Sequence, residues 1–160
     1  MNLFSQQRSM RSVCTLLVFT VLPWFCFSQW KSLTTGTTDQ LRSVHFIAGG
    51  GTGYAAGNAG TLIKTTDGGK TWKPLTASSN KALNDVVFVN ASTGYIAGEG
   101  GVILKTTTSG QSWSALNSGK AITLHKIYFQ DASTGFCTGD NGEILKTTDG
   151  GSSWSSTPTP

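Results

Sequence analysis

Cysteine, charge and helical periodicity are all scarce in this sequence, and each scarcity closes off a class of protein. Of three cysteines in 160 residues, Cys14 and Cys26 lie in an apolar N-terminal run, so Cys137 stands alone in the rest of the chain. A single thiol makes neither an internal disulfide nor a cysteine metal site. Its place in a strand-like pattern predicts a buried, inert side chain. Charged residues are only 12% of the total, and outside the N-terminal run Arg42 and nine dispersed lysines face eight acids. With no basic cluster to neutralise phosphates, the chain carries no footprint for nucleic acid. No window repeats its apolar residues at the helical period. What is plentiful is glycine, at 20 residues, together with β-branched and aromatic side chains. That mixture favours short strands joined by tight turns, with enough large side chains to bury a core.

Residues 1–28 read as a secretory signal. Arg8 and Arg11 form a positive start, residues 13–27 are almost free of polar groups, and Cys26-Phe27-Ser28 offers small residues where a signal peptidase inspects the chain. Cleavage after Ser28 leaves Gln29 at the new N-terminus. The apolar run falls short of the roughly 20 residues of a comfortable membrane span, so no stable span is expected after cleavage. An uncleaved anchor is the weaker alternative. Lipidation of Cys26 is weaker still, because Pro23-Trp24-Phe25 lacks the small residues that usually precede a lipidated cysteine. The expected location is therefore periplasmic, cell-surface or extracellular.

An internal period organises the remainder. Gly53, Gly94 and Gly135 are spaced 41 and 41 apart, and Trp72, Trp113 and Trp154 repeat both intervals. Trp30 precedes Trp72 by 42, the extra residue falling in the run Gly49-Gly50-Gly51. Each unit divides into four short strands. The first begins at Leu41, Leu83 or Leu124; the second follows Gly53, Gly94 or Gly135. A Gly-rich hairpin leads to a third strand such as Leu62-Ile63-Lys64-Thr65-Thr66. A last turn then delivers the Trp and a short fourth strand, Trp72-Lys73-Pro74-Leu75 or Trp113-Ser114-Ala115-Leu116. About 41 residues per four-stranded unit is the size of a β-propeller blade. The fold expected is all-β: three blades, with units of about 30–71, 72–112 and 113–154 in a domain spanning 29–157, and a Ser/Thr/Pro tail at 155–160.

The turn before each Trp is the most specific motif. It reads Asp67-Gly68-Gly69-Lys70-Thr71-Trp72 in the first copy and Asp149-Gly150-Gly151-Ser152-Ser153-Trp154 in the third. The middle copy keeps Gly110 and Trp113 but replaces the Asp-Gly pair by Thr108 and Ser109. This turn resembles the Asp-box, or BNR repeat, of sialidase-like and sortilin-like propellers. The wider unit, from Gly53-Tyr54 through Leu62-Ile63-Lys64-Thr65-Thr66 to Trp72, is similar to the photosystem II assembly and stability factor family. That resemblance implies a propeller with an assembly-factor role, and a link to photosynthesis on that ground only.

The chemistry of the residues points to structure and binding rather than catalysis. A short carboxylate in such a turn caps backbone N–H groups while the Trp packs between sheets, so no metal or cofactor is implied. Lys64, Lys105 and Lys146 occupy one strand position in three units, which fold register explains as well as an anion-binding row does. A sialidase-like site needs several arginines, and only Arg42 lies outside the N-terminal run. A glycosidase needs a pair of acids across the scissile bond, and no spacing marks one. A carbohydrate-active enzyme, or its remnant, resting on Glu99 or Glu143 is the alternative reading. The main expectation is a non-catalytic module that binds protein or glycan. In an up-and-down blade, the entry to strand one and the hairpin between strands two and three share a face. There the copies differ: Arg42, Asn84 and His125 at the first place, and Asn58, Glu99 and Asp140-Asn141 at the second. These seven residues form the candidate partner face. Three blades are fewer than the four or so of a closed propeller. The leading Trp30-Lys31-Ser32-Leu33 also reads as a fourth strand without its own blade. The chain is thus read either as a fragment of a longer propeller or as half of a homodimeric six-bladed ring.

Overall fold

The computed structural model describes residues 31–157. The N-terminal segment read as a signal, with Trp30 and the last three residues, lies outside them. Twelve strands form three antiparallel four-stranded sheets, each in simple chain order. Sheet 1 holds β1 (Leu41–Phe46), β2 (Gly53–Gly57), β3 (Leu62–Thr65) and β4 (Lys73–Leu75). Sheet 2 holds β5 (Leu83–Phe88), β6 (Gly94–Gly98), β7 (Val102–Thr106) and β8 (Ser114–Asn117). Sheet 3 holds β9 (Leu124–Phe129), β10 (Gly135–Gly139), β11 (Ile144–Thr147) and β12 (Ser155–Ser156). Short 3-10 turns join the second strand of each sheet to the third. The three propeller blades expected from the repeat are thus present. Their sheets begin at Leu41, Leu83 and Leu124 rather than at the tryptophans, so each blade owns its fourth strand. Two details differ from the reading above. Ser32 and Leu33 lie in no strand, and Ser155 and Ser156, read as the start of a tail, pair with β11 as the fourth strand of sheet 3.

Between successive sheets lie two equivalent apolar layers. Tyr54, Ala56 and Leu62 of sheet 1 meet Leu83, Val86, Phe88, Ile96, Leu104 and Trp113 of sheet 2. Tyr95, Ala97 and Ile103 of sheet 2 meet Leu124, Ile127, Phe129, Cys137 and Leu145 of sheet 3, with Trp154 packed beside them. The centre of each layer is a three-ring stack. Tyr54 lies on Phe88 with centroids 4.1 Å apart, and Phe88 meets Trp113 edge-on at 6.0 Å. Tyr95, Phe129 and Trp154 repeat this at 3.9 and 6.1 Å. Such pairs contribute about 0.5–1.5 kcal/mol each beyond the area they bury. The Phe ring lies over the glycine that opens the second strand. A Cβ on Gly94 would meet the Phe88 ring at 2.8 Å, and one on Gly135 would meet Phe129 at 2.7 Å. The 41-residue glycine spacing is therefore a packing requirement. Cys137 is fully buried in the second layer, and burial pushes its thiol up to about 12, as the inert reading required.

The Asp-box turns are closed by their own side chains. Asp67 Oδ1 accepts from the Thr71 N–H at 2.9 Å and from the Thr65 hydroxyl at 2.8 Å, while its Oδ2 accepts from the Thr71 hydroxyl at 2.6 Å. Asp149 makes the same three bonds with Ser153 and Thr147. In the middle turn the Thr108 hydroxyl accepts from the Ser112 N–H at 3.0 Å, so a hydroxyl does replace the carboxylate as a backbone cap. Left-handed backbone recurs in these turns: Gly68 and Gly150, for example, have φ of 73° and 67°. Ser109 holds the same conformation at 55° without glycine's freedom.

Two outcomes follow for stability. Gly94→Ala forces a methyl group into the Phe88 ring and should destabilise the protein by about 1–3 kcal/mol. Gly51→Ala, where the new Cβ would meet only the Thr66 carbonyl at 3.9 Å, should stay within about 0.5 kcal/mol of wild type in urea denaturation. The second outcome concerns acid. Hydrogen bonds from Thr71 and Ser153 hold the Asp67 and Asp149 carboxyls down to about 2, against an ordinary 3.8. The unfolded chain therefore binds these protons first. Their stabilisation is complete above pH 3.8 and is lost as pH falls through about 2. A pH series of unfolding midpoints should show that loss, and it should shrink in Asp67→Asn and Asp149→Asn.

Candidate functional site

The polar residues picked out by their variation between copies sit at three equivalent defects in the sheets. Leu41 pairs with Gly57 and Ser43 with Ala56, so Arg42 is an extra residue in the ladder. Asn84 is the extra residue between Leu83 and Asp85, and His125 between Leu124 and Lys126. A β-bulge leaves its residue out of the pairing and re-aims the side chain. Three bulges in register thus set Arg42, Asn84 and His125 at the same end of adjacent blades, since β1, β5 and β9 pack side by side. The 3-10 turns that carry Asn58, Glu99, Asp140 and Asn141 lie at that same end, and the Asp-boxes lie at the opposite one.

Hydrogen bonds join this row. Arg42 donates from Nε to Asn58 Oδ1 at 2.6 Å and from Nη1 to Asn84 Oδ1 at 2.9 Å. Asn84 Nδ2 donates across to the Leu124 carbonyl of the next sheet at 2.7 Å. Farther along, His125 Nε2 lies 2.6 Å from Asp140 Oδ1, and that bond holds the Asp140 carboxyl below its usual range. Gln40, Leu41, Arg42, Asn84, His125 and Lys126 line an open depression of about 520 Å³. Beside it, Arg42, Ala82, Asn84, Glu99 and Thr123 line a second hollow.

The members of the row differ in what they have left to offer. Asn84 is only 7% exposed and both ends of its amide are engaged, so it ties blades together rather than facing a partner. Asn141 serves the turn: its φ of 61° matches that of Ala59 and Gly100 at the same position. Arg42 is exposed, and two bonds orient its guanidinium while three of its five N–H groups stay free. The free donors suit a carboxylate or a run of backbone carbonyls; Lys126, on the same rim, already lies 3.3 Å from Asp85 Oδ1. Among the described residues no three His, Cys, Asp or Glu side chains converge to hold a metal ion. Glu143 pairs with Lys120 at 3.2 Å, and hydrogen bonds from Ser156 and Lys120 keep its carboxyl low. A low carboxyl is the opposite of what a glycosidase acid needs.

Two structural features were invisible in the sequence pattern. Asp85, unremarkable among the carboxylates, is buried. It accepts from the Ser43 hydroxyl of sheet 1 at 2.7 Å and from the Ile127 N–H of sheet 3 at 3.1 Å. One carboxylate thus joins all three blades. The repeated lysines are explained as well. Lys64 and the Tyr54 hydroxyl both donate to the Ser109 carbonyl in the next blade's box, and Lys105 and Tyr95 both donate to that of Gly150.

The family model for photosynthesis system II assembly factor YCF48 matches residues 23–122. Among solved structures, YCF48 bound to D1 peptide superposes with a TM-score of 0.71 at 31% identity, covering 79% of this chain and 43% of that one. YCF48 from Cyanidioschyzon merolae gives 0.70 at 23% identity, covering 79% and 42%. An ancestral GH74 enzyme gives 0.66 at 18% identity, covering 79% and 20%, a likeness of fold alone. The chain spans less than half the length of these relatives. No curated protein matches it. The division of labour within the row is open to test by denaturation. Asn84→Ala strands the Leu124 carbonyl and should cost about 1–3 kcal/mol, whereas Arg42→Ala, at an exposed position, should cost less than about 1 kcal/mol.

Proposed function

The chain belongs to the family of photosynthesis system II assembly factor YCF48, and from that premise we propose that it is a non-catalytic, exported or surface-held propeller module that binds a polypeptide at the rim around Arg42. The observation that carries this reading is the Arg42 guanidinium, oriented by Asn58 and Asn84 with three donors unspent at the rim of an open depression. A charged donor held in place by neutral amides is available to an incoming carboxylate without breaking an ion pair of its own. The free guanidinium donors make an acidic or carboxylate-bearing segment the partner chemistry favoured here over a neutral glycan, while Lys126 and His125 on the same rim are paired with Asp85 and Asp140. A relative in the family has been solved with a D1 peptide bound, which supports a peptide as the ligand class. The lowered Glu143 carboxyl supports a binding role over general-acid catalysis, which needs a raised one. Export rests on the signal-like residues 1–28.

The test is a titration of fluorescein-labelled D1 peptide against the full chain recovered from an exporting host, where signal removal after Ser28 leaves Gln29 as the first residue. Saturable anisotropy is expected. It should weaken about tenfold or more in Arg42→Ala, the loss of a charge-assisted pair, with an unchanged melting curve. Equal affinity in Arg42→Ala would remove Arg42 from the site. Hydrolysis of xyloglucan by the same preparation would overturn the non-catalytic reading.

A further inference from the structure

One face of sheet 1 has the chemistry of an interface, and among the described residues no sheet covers it. In sheets 2 and 3 the face turned toward the preceding sheet is sealed: Val86 and Ile127 are 3% and 4% exposed, and Phe88 and Phe129 are 7% and 8%. The equivalent residues of sheet 1, Val44 and Phe46, are 59% and 41% exposed. Leu41, Ala55, Ile63 and Trp72 line an apolar hollow beside Val44. Phe46 has its Trp72 edge-on at 6.0 Å, as in the other blades, but among the described residues no ring stacks on its face.

The residues that would complete this layer are on the far face of sheet 3. Phe136 occupies the strand position of Tyr54 and Tyr95, and Ile144 that of Leu62 and Ile103. Thr138 occupies the position of Ala56 and Ala97, which are fully buried, yet it is exposed. Lys146 lies over the Phe136 ring at 5.7 Å, as Lys64 and Lys105 lie over their tyrosines at 5.2 and 5.3 Å. Those two lysines each hold a carbonyl in the next blade's box. The carbonyl equivalent to Ser109 and Gly150 is that of Gly68, and Gly68 is exposed. Leu33 matches as well. It approaches Gly69 as Leu75 approaches Gly110 and Leu116 approaches Gly151, whereas sheet 3 carries Thr157 at that position.

We infer that sheet 3 of one copy of this chain packs on sheet 1 of a second copy, with Phe136 stacked on Phe46 and Lys146 bound to the Gly68 carbonyl. The same contact made twice closes six sheets around a two-fold axis, inside the range of about four to eight that propellers adopt. Three copies would bring nine and exceed it. Phe136 lacks the tyrosine hydroxyl, so this junction has one latch bond where the internal junctions have two. Leu33 keeps its seat, and the two-residue β12 of the neighbouring copy yields the edge of β11 to Ser32 and Leu33. This inference does not depend on the peptide-binding reading: Arg42 lines one end of the hollow beside Val44, but the junction is argued from Phe46, Phe136, Thr138 and Lys146, which are not in the Arg42 row.

Size-exclusion chromatography with light scattering on the full chain at micromolar concentration tests it. The expected result is a discrete species of twice the monomer mass. Val44→Lys and Thr138→Lys alter opposite faces at exposed positions, so each should leave the melting curve of the isolated chain intact while abolishing the dimer. Mixed together, the two variants retain one undamaged junction and should recover a one-to-one dimer. A wild-type chain that stays monomeric would overturn the inference and leave the face to another protein or another blade. A dimer that survives both substitutions, or an open-ended polymer, would overturn it equally.

Discussion

The stack of Tyr, Phe and Trp between successive sheets is the contact on which the rest of this structure depends. Each blade is a small twisted sheet with two apolar faces, and a lone four-stranded sheet of this size has little to bury them against. The rings solve this by bridging: the tyrosine of one blade lies flat on the phenylalanine of the next, whose own tryptophan closes the edge. The phenylalanine can lie that low only because the second strand opens with a glycine. Glycine, ring spacing and blade spacing are therefore one constraint expressed three times.

The polar parts of the junction are built around that stack. Where the tyrosine ring ends, its hydroxyl and the neighbouring lysine both reach the carbonyl of a box turn, so the turn must be shaped before the blades can lock. The Asp-box does that shaping with a side chain, and its carboxylate is used up within the turn. On the inner strands, buried Asp85 is satisfied by Ser43 of sheet 1 and by the Ile127 N–H and Lys126 ammonium of sheet 3, and it fixes how the three blades sit around their common edge. A buried charge tolerates few alternatives, because any shift leaves it unpaired. The blades' arrangement is thus held at both ends, by carbonyl latches at one and a shared carboxylate at the other.

Function is assigned to what this framework leaves over. Bulges at the start of each inner strand lift one residue per blade out of the ladder, where neither the ring stack nor the latches constrain its identity. That freedom is visible in the residues themselves, Arg42, Asn84 and His125. They share a backbone position but differ in role: one oriented cation, one structural amide and one partner of Asp140.

The repeat, the four-strand unit, the box turns and the grouping of polar residues at one end were all legible in the sequence, because each rests on contacts within a blade or on a strict period. A strand pattern such as Leu124 to Phe129 announces itself locally. The bulges were not legible, since an extra residue shows only against the partner strand it fails to pair with. The short β12 was missed because Ser155 and Ser156 have no strand signature of their own and are held by Lys146 and Leu145. The roles of Asp85, Lys64 and Lys105 were hidden for the same reason: their partners are about 40 residues away in the next blade. The amino-acid order by itself determined the blade and its number, because those follow from short-range pattern repeated. Only the tertiary structure decided which polar side chains are spent inside the junctions and which remain at the surface, because that depends on how one blade meets the next.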